Sequence, residues 1–207
     1  VAECRRQAEA NRWTVVSETS WEGYDPFPRS VMRGYMVLVE EIIQQWRPGP
    51  THVFVQAGVG GLAAAVFGYL WARYEPRPVF IVVEPESADC WFQSNRAGRP
   101  VSARGNADTV MGGLACREIS PVTWPILGLA TDWFMTIGED SVAPTRRLLA
   151  HPLDSDPAIA SGPSGCAGLA GFSRVCTDEA AFKALGLGRK SRVLLINSAG
   201  NLGEGTA

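Results

Sequence analysis

Short apolar runs alternate along this chain with longer stretches of helical period. Ala2 to Asn11 is polar and reads as a short helix, and Trp13 to Val16 as a strand that ends at Ser17-Glu18-Thr19-Ser20. Trp21 to Arg29 carries two prolines and a glycine, which marks a loop. From Ser30 to Trp46 the apolar positions Met32, Tyr35, Met36, Val39, Ile42, Ile43 and Trp46 follow the helical period, and Arg47-Pro48-Gly49-Pro50 ends the helix. His52 to Val55 is a β-branched and aromatic run, and Leu62 to Arg73 is rich in Ala and Leu and free of proline. These predict a strand and a helix. Val79 to Val83 is a continuous apolar run, typical of a parallel strand buried on both faces. Ser87 is placed to cap a helix from Ala88 to Arg96. Further helices are expected over 121–130, 139–149, 166–176 and 178–185, with strands over 132–137 and 192–196. This alternation predicts an α/β fold: a mainly parallel, twisted sheet with helices on both faces.

Composition narrows the class. The chain has 207 residues, 46% hydrophobic and 19% charged, enough for a sizeable globular core. The net charge of −2 and the lack of a basic cluster argue against nucleic acid as a partner. The longest apolar run, Leu62 to Trp71, is ten residues, too short to span a membrane. Five cysteines at irregular spacing form neither a disulfide framework nor a zinc pattern, and His52 and His151 are far apart, so no metal site is predicted. A cytoplasmic location is the expectation. The chain opens inside a helical pattern without Met and stops just after a strand, so a piece of a longer chain is also expected.

The chemistry centres on Gln56-Ala57-Gly58-Val59-Gly60-Gly61, between strand and helix. Such a turn offers backbone N–H groups at a helix N-terminus, where the dipole favours an anion, and glycines let a phosphate approach closely. In folds of this kind ligands sit beyond the carboxyl ends of strands. Ser17 to Ser20, Gln56 to Gly61, Glu84 to Ser87 and Asn197 to Asn201 follow strands here, and all four are expected to face one crevice. Met111 to Cys116 is a small-residue segment suited to a close approach to a ligand or another backbone, and Ala160 to Gly165 is a second glycine loop leading into a helix.

Two cofactors compete for the turn. Gly58-Val59-Gly60-Gly61-Leu62-Ala63 satisfies the dinucleotide pattern, and Glu84, ending the next strand, stands where a ribose-binding acid belongs; this reading is an NAD-type oxidoreductase. Against it, a strand and a long helix precede the fingerprint, and the segments at Ser161 and Ser198 have no part to play. The other cofactor is pyridoxal phosphate. Gly58 to Leu62 offers its phosphate a compact cradle, and a neutral hydroxyl such as Ser198 at the ring nitrogen leaves that nitrogen largely unprotonated, favouring elimination over transamination.

Trp21–Pro28, Gln56–Ala64, Val83–Cys90, Met111–Cys116, Ser161–Leu169 and Asn197–Asn201, taken in this order, resemble the diaminopropionate ammonia-lyase family. The resemblance implies a fold type II pyridoxal-phosphate enzyme, tryptophan synthase β-like, here incomplete: 1–17 as the end of the small domain and 18–207 as mostly large domain. It implies α,β-elimination of a small amino acid, 2,3-diaminopropionate, to pyruvate and ammonia, and a homodimer. It implies that Gly58, Val59, Gly60, Gly61 and Leu62 hold the cofactor phosphate, that Glu84 lies near the ring, and that Ser198, or Asn197 one residue away, faces the pyridine nitrogen. The family carries an acid before Trp-Glu-Gly-Tyr that helps in proton transfer. The matching position is Glu18, where Asp is expected; the extra methylene shifts the carboxylate by roughly 1 Å, a displacement that can cost about 10²-fold in rate. The family also needs a lysine bonded to the cofactor, which lies upstream of these motifs. The two lysines here, Lys183 and Lys190, match no motif, so residues 1–207 alone are expected to be inactive. A non-catalytic binding module of the same fold is the third reading. Cys90 and Cys116, 26 residues apart beside two of the motifs, read as small buried residues, with pairing near the site entrance as the alternative.

Overall fold

The computed structural model describes residues 2–200. The predicted Asn201 of the Asn197–Asn201 motif, and the rest of 201–207, lie outside the described residues. Four parallel strands form the sheet among those residues: β1 (His52–Gln56), β2 (Val79–Pro85), β3 (Trp133–Ile137) and β4 (Val193–Leu195), in the order β3-β2-β1-β4. His52 of β1 is in register with Val79 of β2 and with Val193 of β4.

Alternate side chains of the two central strands enter two separate cores. Val53, Val55, Phe80 and Val82 pack against α2 (Pro26–Gln45), α3 (Gly61–Arg73), α4 (Cys90–Ala97) and α5 (Trp124–Ala130). Phe54, Ile81 and Val83 face the other way, toward α6 (Val142–Ala150), α7 (Ala167–Thr177) and α8 (Glu179–Ala184). Every residue of β1 is buried, as the apolar run requires of a central strand. The predicted layers are therefore present, and α1 (Ala2–Asn11) precedes them.

Three local expectations fail. Residues 26–29, read as loop, form the first turn of α2, where proline is tolerated because its missing N–H would be unpaired anyway. Residues 13–16 form no strand: Trp13 and Val16 are 66% and 69% exposed, and no strand among the described residues pairs with them. Tyr24 organises this stretch instead, its hydroxyl donating to Val15 O at 3.0 Å and accepting from Ser17 N at 2.8 Å. Ser87 caps nothing; its hydroxyl is buried without a partner, and the carboxylate of Glu84 takes the free N–H groups of α4. No described helix is long and apolar enough to cross a membrane.

Candidate active site

Chain order and sheet order part company between β1 and β4. From β1 the chain crosses through α3 to β2 on one side, while β4 lies on the other. A crevice opens beyond the carboxyl ends of strands at such a switch point. Here it is a cavity of about 280 Å³ lined by Glu18, Tyr35, Gln56 to Leu62, Gly113, Leu114, Ser164, Ser198 and Ala199.

Its floor is the glycine turn. Gly60 adopts φ +100°, which a side chain resists, and a Cβ there would collide with the indole of Trp91. Gly61 opens α3. No described residue accepts from the N–H groups of Gly60, Gly61 or Leu62, the usual condition of a helix N-terminus awaiting an anion. The turn is braced from below. Trp91 Nε1 donates to Gly58 O at 3.0 Å, and Ser120 N donates to Val59 O at 2.9 Å. A Cβ on Gly58 would press on Gly113 O and Cys116 Sγ, each 3.0 Å away, so Met111 to Cys116 is the predicted close-approach segment.

Glu18 reaches the cavity on a loop that is tied to the floor. Trp21 and Tyr24 exchange backbone hydrogen bonds and stack their rings 3.8 Å apart, which closes the Trp-Glu-Gly-Tyr turn. Ser20 N donates to Ser120 Oγ at 2.8 Å, and Ser20 Oγ accepts from Val122 N at 2.9 Å. The Glu18 loop and the glycine turn thus share Ser120. Tyr35 of α2 faces the same space; burial first, and then the Glu18 charge, raises its phenol above the ordinary value and keeps it protonated.

The wall opposite comes from β4 and the loop before α7. Ser198 Oγ lines the cavity and accepts from Gln56 Nε2 at 2.7 Å. Asn197 does not line it. Its amide donates to Ser161 Oγ at 2.7 Å, with its nitrogen also toward the carbonyls of Gly165 and Ala199. Ser164 Oγ accepts from Gly113 N at 2.9 Å and joins the two small-residue segments at the rim.

Glu84 is not in the lining. It is fully buried, with Oε1 accepting from Trp91 N and Oε2 from Phe92 N, both at 2.8 Å. Burial pushes its carboxyl up to about 8, against the pull of those two N–H groups. So only three of the four segments expected there meet in the crevice. A carboxylate enclosed in this way cannot reach a ribose, which removes the geometry that the dinucleotide reading requires. Glu84 still acts on the turn at one remove, since it fixes Trp91, and Trp91 holds Gly58 and underlies Gly60. Cys90 and Cys116 flank Gly58 as free thiols, and burial raises both above the ordinary thiol range. Lys183 is exposed on α8 and paired with Glu179, and Lys190 is exposed just before β4. Both lie near the amino end of β4, away from the cavity.

Sequence reasoning gave no part to Tyr35, Ser120 or the inward turn of Gln56, and took Ser164 only as a member of the glycine loop before α7. Only Gln56 carried a signal, as a polar residue closing an otherwise apolar strand.

The cradle suits a phosphorylated ring. Free N–H groups at a helix N-terminus face a cavity with no room for a Cβ at Gly60, and a neutral hydroxyl stands on the far wall. The comparisons agree. The family model described as "Pyridoxal-phosphate dependent enzyme" matches residues 1–199. Diaminopropionate ammonia-lyase of Escherichia coli (strain K12) is 37% identical over 203 residues, covering 95% of this chain and 51% of that protein. The crystal structure of the Escherichia coli enzyme in complex with an aminoacrylate-PLP azomethine reaction intermediate superimposes with a TM-score of 0.90 at 36% identity, over 97% of this chain and 53% of that one. Its complex with D-serine gives a TM-score of 0.89 at 35% identity, over 97% and 52%. The chain spans about half the length of the curated relatives it matches. With the family model matched over residues 1–199 and the superposition at a TM-score of 0.90, the chain belongs to the pyridoxal-phosphate dependent enzyme family, with the fold type II architecture.

Proposed function

We propose that the protein carrying this chain is a pyridoxal-phosphate-dependent ammonia-lyase that eliminates ammonia from 2,3-diaminopropionate to give pyruvate. The supporting observation is one cavity that gathers an anion cradle, a neutral hydroxyl and a carboxylate from three separate segments. The N–H groups of the Gly58 to Leu62 turn bind the cofactor phosphate. Ser198 meets the pyridine nitrogen with a neutral partner, which leaves the ring a moderate electron sink. When bound, pyridoxal phosphate acidifies the α-hydrogen of an amino acid and lets a β-amine leave. Glu18 moves protons at the mouth of the cavity, and the Tyr24 hydroxyl holds its loop in place. Tyr35, kept neutral, donates beside it. Glu84 is assigned to the support of the turn.

The lysine that bonds the cofactor is not among the cavity residues, so residues 1–207 by themselves are expected not to turn over substrate. Residues 1–17 are assigned to the end of a small domain and 18–207 mostly to the large one. A cytoplasmic homodimer completes the reading. The test uses the full-length protein. It should show a visible absorption band that borohydride abolishes, and it should release pyruvate from 2,3-diaminopropionate. A full-length protein with no such band and no pyruvate would refute the proposal.

A further inference from the structure

Gln56 ends β1 and is 2% exposed. Its amide nitrogen faces three acceptors: Ile196 O at 2.9 Å, Ser198 Oγ at 2.7 Å and Gly165 O at 3.4 Å. Two of these are backbone carbonyls, which can only accept. The orientation of the amide is therefore set, because turning it over would press its oxygen against both carbonyls. The opposite end shows what this costs: Gln56 Oε1 is buried with no hydrogen-bond partner.

The consequence falls on Ser198. A serine hydroxyl has one hydrogen to give and two lone pairs to receive. Ser198 Oγ already receives a hydrogen from Gln56, and its own hydrogen has no acceptor among the described residues. The Ser198 hydrogen is thus free to turn into the cavity that its oxygen lines.

We infer that Gln56 is a positioning residue that makes Ser198 a hydrogen-bond donor toward the cavity, and so selects a ring nitrogen bearing a lone pair over one bearing a proton. The inference rests on the assignment of Ser198 to the pyridine nitrogen made above. It adds a cause to that assignment: a serine alone can donate or accept, and the buried amide decides which.

The test is the ¹⁵N chemical shift of pyridine-labelled pyridoxal phosphate bound to the full-length protein. The wild type should show the shift of an unprotonated, hydrogen-bonded pyridine. Gln56→Met keeps the length and removes the donor, so the Ser198 hydroxyl turns to the vacant Ile196 carbonyl and offers the ring a lone pair. The signal should move toward the protonated position. Ser198→Ala separates the two ideas. A shift unmoved by Ser198→Ala removes Ser198 from the nitrogen and the inference with it; a shift that moves with Ser198→Ala but not with Gln56→Met leaves Ser198 in place and overturns the role of Gln56. Neutron diffraction from the wild-type protein needs no variant to fold. It should find a deuteron on Gln56 Nε2 pointing at Ser198 Oγ and the Ser198 deuteron on the cavity side; a Ser198 deuteron directed at Ile196 O or Gln56 Oε1 would overturn the inference.

Discussion

At the scale of single residues the site depends on how few groups are free to choose their state. Glu84 is the clearest case. It has exchanged water for two backbone N–H groups, and burial still pushes its carboxyl up to about 8. The folded protein therefore holds a proton that the unfolded chain releases above the ordinary value of 4.5. The part of stability owed to this proton is complete below 4.5 and is lost as pH rises to about 8, at no more than about 1.4 kcal/mol per pH unit. Glu84→Gln cannot titrate. Thermal melts of wild type and variant should accordingly converge as pH rises through that window, and a constant gap would refute the linkage. Glu18 is the opposite case, an exposed acid at the cavity mouth. In the full-length protein Glu18→Gln should lower kcat by about 10²–10⁴-fold, the range for loss of a general acid–base. Cofactor affinity should stay as it is, because the phosphate cradle is elsewhere. A fall in cofactor binding that matched the fall in kcat would recast Glu18 as a ligand contact.

At the scale of elements, α3 and its turn make a sharper prediction. Gly60 and Gly61 are adjacent, but only Gly60 is left-handed and seated on Trp91; a Cβ on Gly61 meets nothing nearer than Met32 Cγ at 4.0 Å. Gly60→Ala should cost about 2–5 kcal/mol, combining the left-handed penalty with overpacking. Gly61→Ala should be close to neutral in the same melts, since a helix tolerates alanine better than glycine. Equal losses at the two positions would count against this turn geometry. The contrast also marks what could be read from sequence. Continuous apolar runs such as 79–83 and helical periods such as 30–46 announced their elements, because burial on two faces or one stripe leaves a local pattern. Residues 13–16 look β-prone locally, yet among the described residues no strand stands beside them to complete a ladder. The glycine turn was legible from its spacing. The exclusion of Glu84 from the cavity was not, because an acid after a strand reads the same whether it points to a ligand or back at the next helix. The tie from Ser20 through Ser120 to Val59 spans a hundred residues and leaves no local trace.

At the scale of the whole molecule, no amine lines the cavity among the described residues, and this sets the expectation for residues 1–207. Residues 1–207 purified alone should form no pyruvate from 2,3-diaminopropionate; measurable turnover would place the reactive lysine at Lys183 or Lys190 despite their position near the amino end of β4. The sheet bears on what ligand binding does to motion. One wall of the cavity extends from β1, which is fully buried and paired on both sides. The other extends from β4, three residues at the margin of the described sheet, with β1 as its only partner there. A stiff wall thus faces a soft one, and the hydrogen bond from Gln56 to Ser198 spans the gap between them. Local opening draws on the least secured strand first. In amide hydrogen exchange residues 193–195 should trade deuterium well before 52–56 when the cavity is empty, and slow down once the cofactor bridges the two walls. The floor of the site would then be built by folding, and its far side finished by the ligand.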